Sequence, residues 1–334
     1  MRNDGKSNTV ANPGLAQFEV ISQATLAGVP ALFAPDQKAA RHFLEFFAAN
    51  IRNPNTRRAY FRDVQQFAQW WSAQSLGRLV DIEPVHVAAY VELLGQRLSK
   101  PSVKQHLAAL RMLFDWLVVR QVITTNPAAP VRGPKYTVRK GKTAVLTAEE
   151  ARELLDSIPT DSVAGLRDRS LIGTMVFAFA RVGAVLNMRV EDIYVQGRRT
   201  WLRLHEKGGK RHEMPAHHLL EEYLHEYLKA AALQEDPKGF LFRTARGRSG
   251  VLTAEPMAQA DAYRMIRRRA LACGIKTKVG NHSFRATGIT EYLRNGGKLE
   301  IAQQMANHES ARTTGLYDRR DDQVSLDEVE RILI

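Results

Sequence analysis

Cysteine is all but missing from the sequence: Cys273 is the single one among 334 residues. A disulfide within the chain is therefore impossible, and a zinc site built on cysteines is disfavoured. The opening, MRNDGKSNTVANPG, lacks an apolar core, so no signal peptide is expected. Uninterrupted apolar runs are scarce too. LIGTMVFAFARVGAVLNM (171–188) falls short of the roughly 20 residues of a membrane span. It also carries Arg181 near its middle, where a lipid-facing guanidinium would be costly. No membrane association is expected, and the reading is a cytoplasmic protein. Acidic residues are outnumbered: 35 Asp+Glu face 48 Lys+Arg, a formal charge of +13. That excess points to a polyanionic partner, most simply nucleic acid. The apolar fraction of 44% suffices for an ordinary core, and the length suits two domains.

Residues 1–37 show weak periodicity and read as a flexible or loosely docked arm. Helical patterning begins near Lys38. In NTRRAYFRDVQQFAQWW (55–71), Tyr60, Val64, Phe67 and Trp71 share one stripe, and Arg57, Arg58 and Arg62 lie off it. Helices are also expected over 85–98 and 102–120, the latter turning Val103, Leu107, Leu110, Phe114 and Leu117 inward. Residues 38–123 thus form an all-helical unit whose aromatic stripe is core. A basic linker without acids, rich in proline, spans 124–145. Thr147 and Glu150 fit a capping box that opens a second domain, 146–320. There, 167–187 reads as one buried helix. RTWLRLH and RHEMPAH read as strands joined by a Glu-Lys-Gly-Gly-Lys turn. Further helices follow over 217–231, 261–274, 281–295 and 298–306. SLDEVERILI closes the chain with Leu326, Val329 and Leu333 on one stripe, too short to stand alone.

Arg181 cannot be deprotonated, so within an apolar run it needs a partner: a carboxylate of this chain or an anion from outside. His282 and Arg285 in NHSFRATGITEYL lie one turn apart and share a helix face. His308 follows Arg285 by 23 residues, and Tyr317 follows His308 by nine. Each motif is weak alone; their order is specific.

In that order, the Arg181 segment ending in LNMRVEDI, the EKGGKRHEMP hairpin, the HSFR box and MANHESARTTGLY resemble the catalytic domain of the tyrosine recombinases, the phage integrase family. The TRRAY helix and basic linker resemble that family's core-binding domain, and the likeness covers about residues 38–320. It implies a mostly α fold with a small β-sheet (α+β) in the catalytic domain, joined to a helical, SAM-like domain in a C-shaped DNA clamp. It implies site-specific breakage and rejoining of double-stranded DNA through a Holliday junction, with no cofactor, metal or ATP. Arg181 and Arg285 would clamp the scissile phosphate, whose developing charge suits two planar guanidinium forks. Tyr317 would attack, giving a 3′-phosphotyrosyl link. His282 would take the tyrosine proton, His308 would donate to the phosphate, and Lys207 would protonate the leaving 5′-oxygen. Lys210 could reach the same space. Arg181's partner would then be the phosphate.

Two departures stand out. Family members commonly carry an acid three positions after the first arginine, where this chain has Ala184; FARVGAV also lacks the usual Gly-Leu-Arg opening. DNA contacts are expected from Arg57, Arg58, Arg62, Lys104, Arg139, Lys140, Lys142, Lys210, Arg264, Arg267 and Arg268. His205, His212, His217 and His218 crowd together, yet strand alternation scatters the first two, and no metal site is expected. The resemblance further implies a tetramer on two DNA sites, the tail 321–334 docking on its own or a neighbouring protomer, and accessory DNA-bending or directionality proteins. Two rival readings are a type IB topoisomerase-like monomer and a regulator that binds DNA without cutting it. The terminal stripe argues against the first and the complete polar set against the second.

Overall fold

Prolines and short polar side chains punctuate the first unit. Asn53 accepts from the amides of Asn55 and Thr56, and Pro54 occupies the first turn, so α2 starts sharply. The computed structural model describes residues 28–137, 141–206, 209, 211–247 and 249–318. The chain divides into two compact units, residues 1–137 and 138–334.

The described part of the first unit is all helical: α1 (Gln37–Glu45), α2 (Pro54–Ala73), α3 (Pro84–Arg97) and α4 (Lys100–Val119). Val64, Phe67 and Trp71 of α2 and Val103, Leu107, Leu110, Phe114 and Leu117 of α4 are buried in one core. The aromatic stripe is thus packing surface, apart from the half-buried Tyr60 at its rim. Two indoles are satisfied by main chain: Trp71 Nε1 donates to Gly77 O at 2.8 Å and Trp116 Nε1 to His42 O at 2.8 Å.

Two expectations need correction here. The segment before α1 is no loose arm where it is described. Leu32 and Phe33 are core residues, and Phe33 stacks on Phe43 with centroids 5.2 Å apart. Only isolated apolar residues do this work, so no periodicity announced it. Residues 1–27 lie outside the described residues. The start of the supposed linker is also docked. Ala128 and Val131 are buried, and Arg111 of α4 donates to both of their carbonyls.

The second unit opens at α5 (Ala148–Asp156) with the expected capping box: Thr147 accepts from the Glu150 amide, and Glu150 accepts from that of Thr147. Next comes α6 (Val163–Phe177), buried along most of its length. The single helix expected over 167–187 is broken. α6 stops at Phe177, Phe179 takes a left-handed φ of 48°, and Arg181 is extended as the N-cap of the short α7 (Val182–Leu186). An apolar run hides such a break because both helices need buried side chains. A meander of β1 (Ile193–Gln196), β2 (Arg199–His205) and β3 (Arg211–Pro215) follows, antiparallel throughout, with Leu202 opposite Met214 and His205 opposite Arg211. Then come α8 (His218–Ala230), the pair β4 (Arg243–Ala245) and β5 (Leu252–Pro256), and α9 (Gln259–Ala272). Strands β1, β4 and β5 were not foreseen; three to five half-exposed residues carry too little alternation to read.

Helices α10 (Ser283–Arg294), α11 (Leu299–Met305) and α12 (Ala311–Gly315) complete the described chain. α10 crosses the end of α6 so closely that a Cβ on Gly288 would lie 2.0 Å from Val176 O. That contact sets the level of the polar residues at the head of α10. Among the described residues, no helix is long and apolar enough to cross a membrane.

If Phe33 belongs to the core, Phe33→Ala should cost about 3–5 kcal/mol in a urea melt. A loss under about 0.5 kcal/mol, usual for surface positions, would restore the loose-arm reading.

Candidate active site

Arg285 stands on the first turn of α10 and is only 2% exposed. A guanidinium so buried must have its donors met. One Nη donates to Phe179 O and the other to Ala306 O, so two loops fix the fork from either side. The left-handed turn at Phe179 aims the first of these carbonyls. Tyr317 stands close enough for its phenol to bear on the Arg285 charge. Burial, aided by the charge of Arg181, brings its pKa down to about 10; Glu206 and Tyr317 oppose the shift.

The Arg181 charge is felt by Arg285, His282 and His308. Its anionic partner corrects the sequence reading. Nη1 lies 2.5 Å from Oε2 of Glu206, whose side chain is 3% exposed; that of Arg181 is 34% exposed. Arg181 therefore has a carboxylate of its own chain before any phosphate arrives. The acid directly follows β2, 25 residues away, beyond any helical spacing.

His282 caps the start of α10. Surrounding protein, then the charges of Arg285 and Arg181, hold its pKa below the ordinary value. His308 follows α11 and is 8% exposed. Its Nδ1 lies 2.9 Å from the hydroxyl of the buried Thr314, and its ring stacks on Tyr317 with centroids 5.6 Å apart and planes within 9°. Burial, with Arg285 and Arg181, drives its pKa to about 4, so the imidazole is neutral at pH 7. Tyr317 follows α12. Its amide donates to Thr314 O at 2.9 Å, and its carbonyl accepts from Thr290 Oγ1 at 2.8 Å.

The structure thus brings Arg181, His282, Arg285, His308 and Tyr317 into one electrostatic neighbourhood. Lys207 and Lys210 lie outside the described residues, as do Arg139, Lys140 and the tail 321–334. Sequence reasoning missed Glu206 and Thr314. An acid directly before the hairpin lysine was a visible signal for the first; a threonine three residues before the tyrosine was a weak one for the second.

The remaining basic candidates fare differently. Arg57 is half-buried and spends Nε and one Nη on Ile51 O, at 3.0 and 2.8 Å, so its first task is to cap the main chain. Arg58, Arg62, Lys104, Lys142, Arg264, Arg267 and Arg268 are exposed. Arg264 pairs with Asp261, and Arg268 stands 3.6 Å from the buried Asp168, which Arg269 and Arg167 also grip. His217 stacks on Phe177 at 4.4 Å, and His205 Nε2 sits 3.1 Å from Asp192 Oδ1. His212 is pushed below its ordinary pKa by burial, with the Glu206 charge opposing.

Residues 144–324 match the phage integrase family and residues 41–121 match the phage integrase N-terminal SAM-like domain. A protein of Pseudothermotoga lettingae named tyrosine recombinase is 26% identical over 278 residues, covering 82% of this chain and 91% of its own. The XerH site-specific recombinase bound to a palindromic difH substrate, a post-cleavage complex, superposes with a TM-score of 0.68 at 19% identity over 95% of each chain. A lambda integrase tetramer bound to a Holliday junction gives 0.65 at 19% identity, over 86% of this chain and 79% of its own. With one family pattern spanning more than half of its length, the chain belongs to the phage integrase family, the tyrosine recombinases.

Proposed function

We propose that this recombinase cuts and rejoins double-stranded DNA at a specific site through Tyr317. The observation that carries the assignment is the placing of Tyr317, stacked on His308, beside a guanidinium held by two carbonyls. A phenol beside a fixed cation is placed to meet a phosphodiester bound to that cation. Arg181 and Arg285 bind the non-bridging oxygens. The Tyr317 oxygen bonds to phosphorus, its proton passes to His282, and the bond from phosphorus to the 5′-oxygen breaks. Lys207 supplies the proton to that leaving oxygen, Lys210 being the alternative. His308 is oriented by Thr314: with Nδ1 accepting from the hydroxyl, its Nε2–H is the donor to the phosphate. The phosphotyrosyl bond retains the energy needed for religation, so the step asks for neither metal nor ATP.

The exposed Arg58, Arg62, Lys104, Lys142, Arg264, Arg267 and Arg268 supply phosphate contacts in this reading, as do Arg139 and Lys140 of the linker. Assembly is proposed as a tetramer on two sites, by analogy with the lambda integrase tetramer on a Holliday junction. The tail 321–334 is proposed to dock on its own or a neighbouring protomer, and accessory DNA-bending or directionality proteins are proposed as further partners.

Tyr317→Phe should bind its site within about threefold of the parent and form no covalent complex on a nicked suicide substrate. A trapped complex would assign the nucleophile elsewhere.

The His308 pKa carries a stability prediction. Its folded value lies below the unfolded one, so its contribution is complete above about pH 6.5 and is lost as the pH falls toward 4. Between pH 7.5 and 5 the parent should lose about 2 kcal/mol more than His308→Gln, measured by urea denaturation. Equal losses would mean that the imidazole is not held neutral.

A further inference from the structure

Glu206 has a location that simple ion-pair stabilisation does not explain. Its carboxylate is 3% exposed, its Oε2 meets Arg181 Nη1 at 2.5 Å, and its charge reaches Arg285 and His212. It ends the β2 side of the hairpin, and Lys207 follows it directly. A buried ion pair gains little net stability, because desolvation offsets the attraction, yet it fixes orientation. Orientation is what Arg181 lacks from other sources. It caps α7 through its backbone, its side chain is one-third exposed, and among the described residues no other acceptor holds its guanidinium. The nearby Arg285 is itself a cation and repels it. Ala184, at the third position of α7, offers no acid from the helix's own first turn, where a carboxylate could reach back to the capping residue.

We propose that Glu206 is the positioning residue for Arg181: by holding Nη1, it turns the Nε–Nη2 edge of the fork toward the scissile phosphate. This rests on the recombinase reading above. The planar fork makes the argument geometric: once one Nη is tied to a carboxylate, the direction of the opposite edge is set. Glu206 then keeps two neighbouring guanidiniums from splaying apart before DNA arrives, and it touches no reacting atom. Its substitution should slow the chemical step and leave site affinity nearly intact.

The test uses the full-length protein and suicide substrates under single-turnover conditions. Glu206→Gln, which keeps the shape and removes the charge, should cleave about 10- to 100-fold more slowly with DNA affinity within about threefold. Glu206→Asp should recover part of the rate. In an Arg181→Ala background, Glu206→Gln should cause no further loss, since both act through one guanidinium. Placing the acid on the other side, in Glu206→Gln with Ala184→Glu, should restore part of the rate. A substrate with a 5′-bridging sulfur separates Arg181 from the adjacent lysine. It needs little leaving-group protonation, so the defect should persist on it. Rescue by the sulfur substrate would place Glu206 behind Lys207 and overturn the proposal. So would unchanged cleavage, additive losses with Arg181→Ala, or a Glu206→Gln protein that fails to fold while Glu206→Asp is fully active. Failure of the underlying reading would look different: the parent itself would form no Tyr317-dependent covalent complex.

Discussion

The catalytic unit is organised around a cation that has been taken out of water. Arg285 is almost fully buried, and a bare guanidinium there would be prohibitive. The loop after α6 and the loop after α11 each surrender a carbonyl to it. Those two loops also deliver Arg181 and His308. The same two contacts that make burial tolerable therefore bring the polar set together. Gly288, one turn further along α10, lets α6 approach closely enough for the Phe179 carbonyl to reach the guanidinium.

That arrangement explains why the site was legible in order and spacing but not in detail. His282 and Arg285 are a local pair, and helix periodicity alone puts them on one face. Tyr317 and His308 were readable from their offset, yet their ring stacking depends on α12, five residues of no periodic signal. Glu206 was the decisive omission. Arg181's carboxylate lies outside the apolar run, on the residue that directly follows β2, 25 positions away. Sequence distance and chemical distance coincide on a helix and part company on a sheet.

The fold divides along the same line. Long helices with a stripe, such as α2 and α4, declared themselves, and so did the Thr147–Glu150 cap. The run 171–188 hides a break because burial does not require one continuous helix. Phe179 breaks the helix at a left-handed residue that no glycine or proline marks. Leu32 and Phe33 escaped notice for a related reason: two side chains can be core without any period around them.

The mounting of Tyr317 has a mechanical consequence. The segment that carries it is held by the Thr290 hydroxyl on its own carbonyl and by the Gly141 amide on the carbonyl of Leu316. In the reaction proposed for Tyr317, tension on a DNA strand joined to the phenol would be borne by these few bonds. One leads into the body of α10. The other leads to Gly141, near the start of the same unit, so a pull on the held strand would be shared between α10 and the chain that enters the catalytic unit.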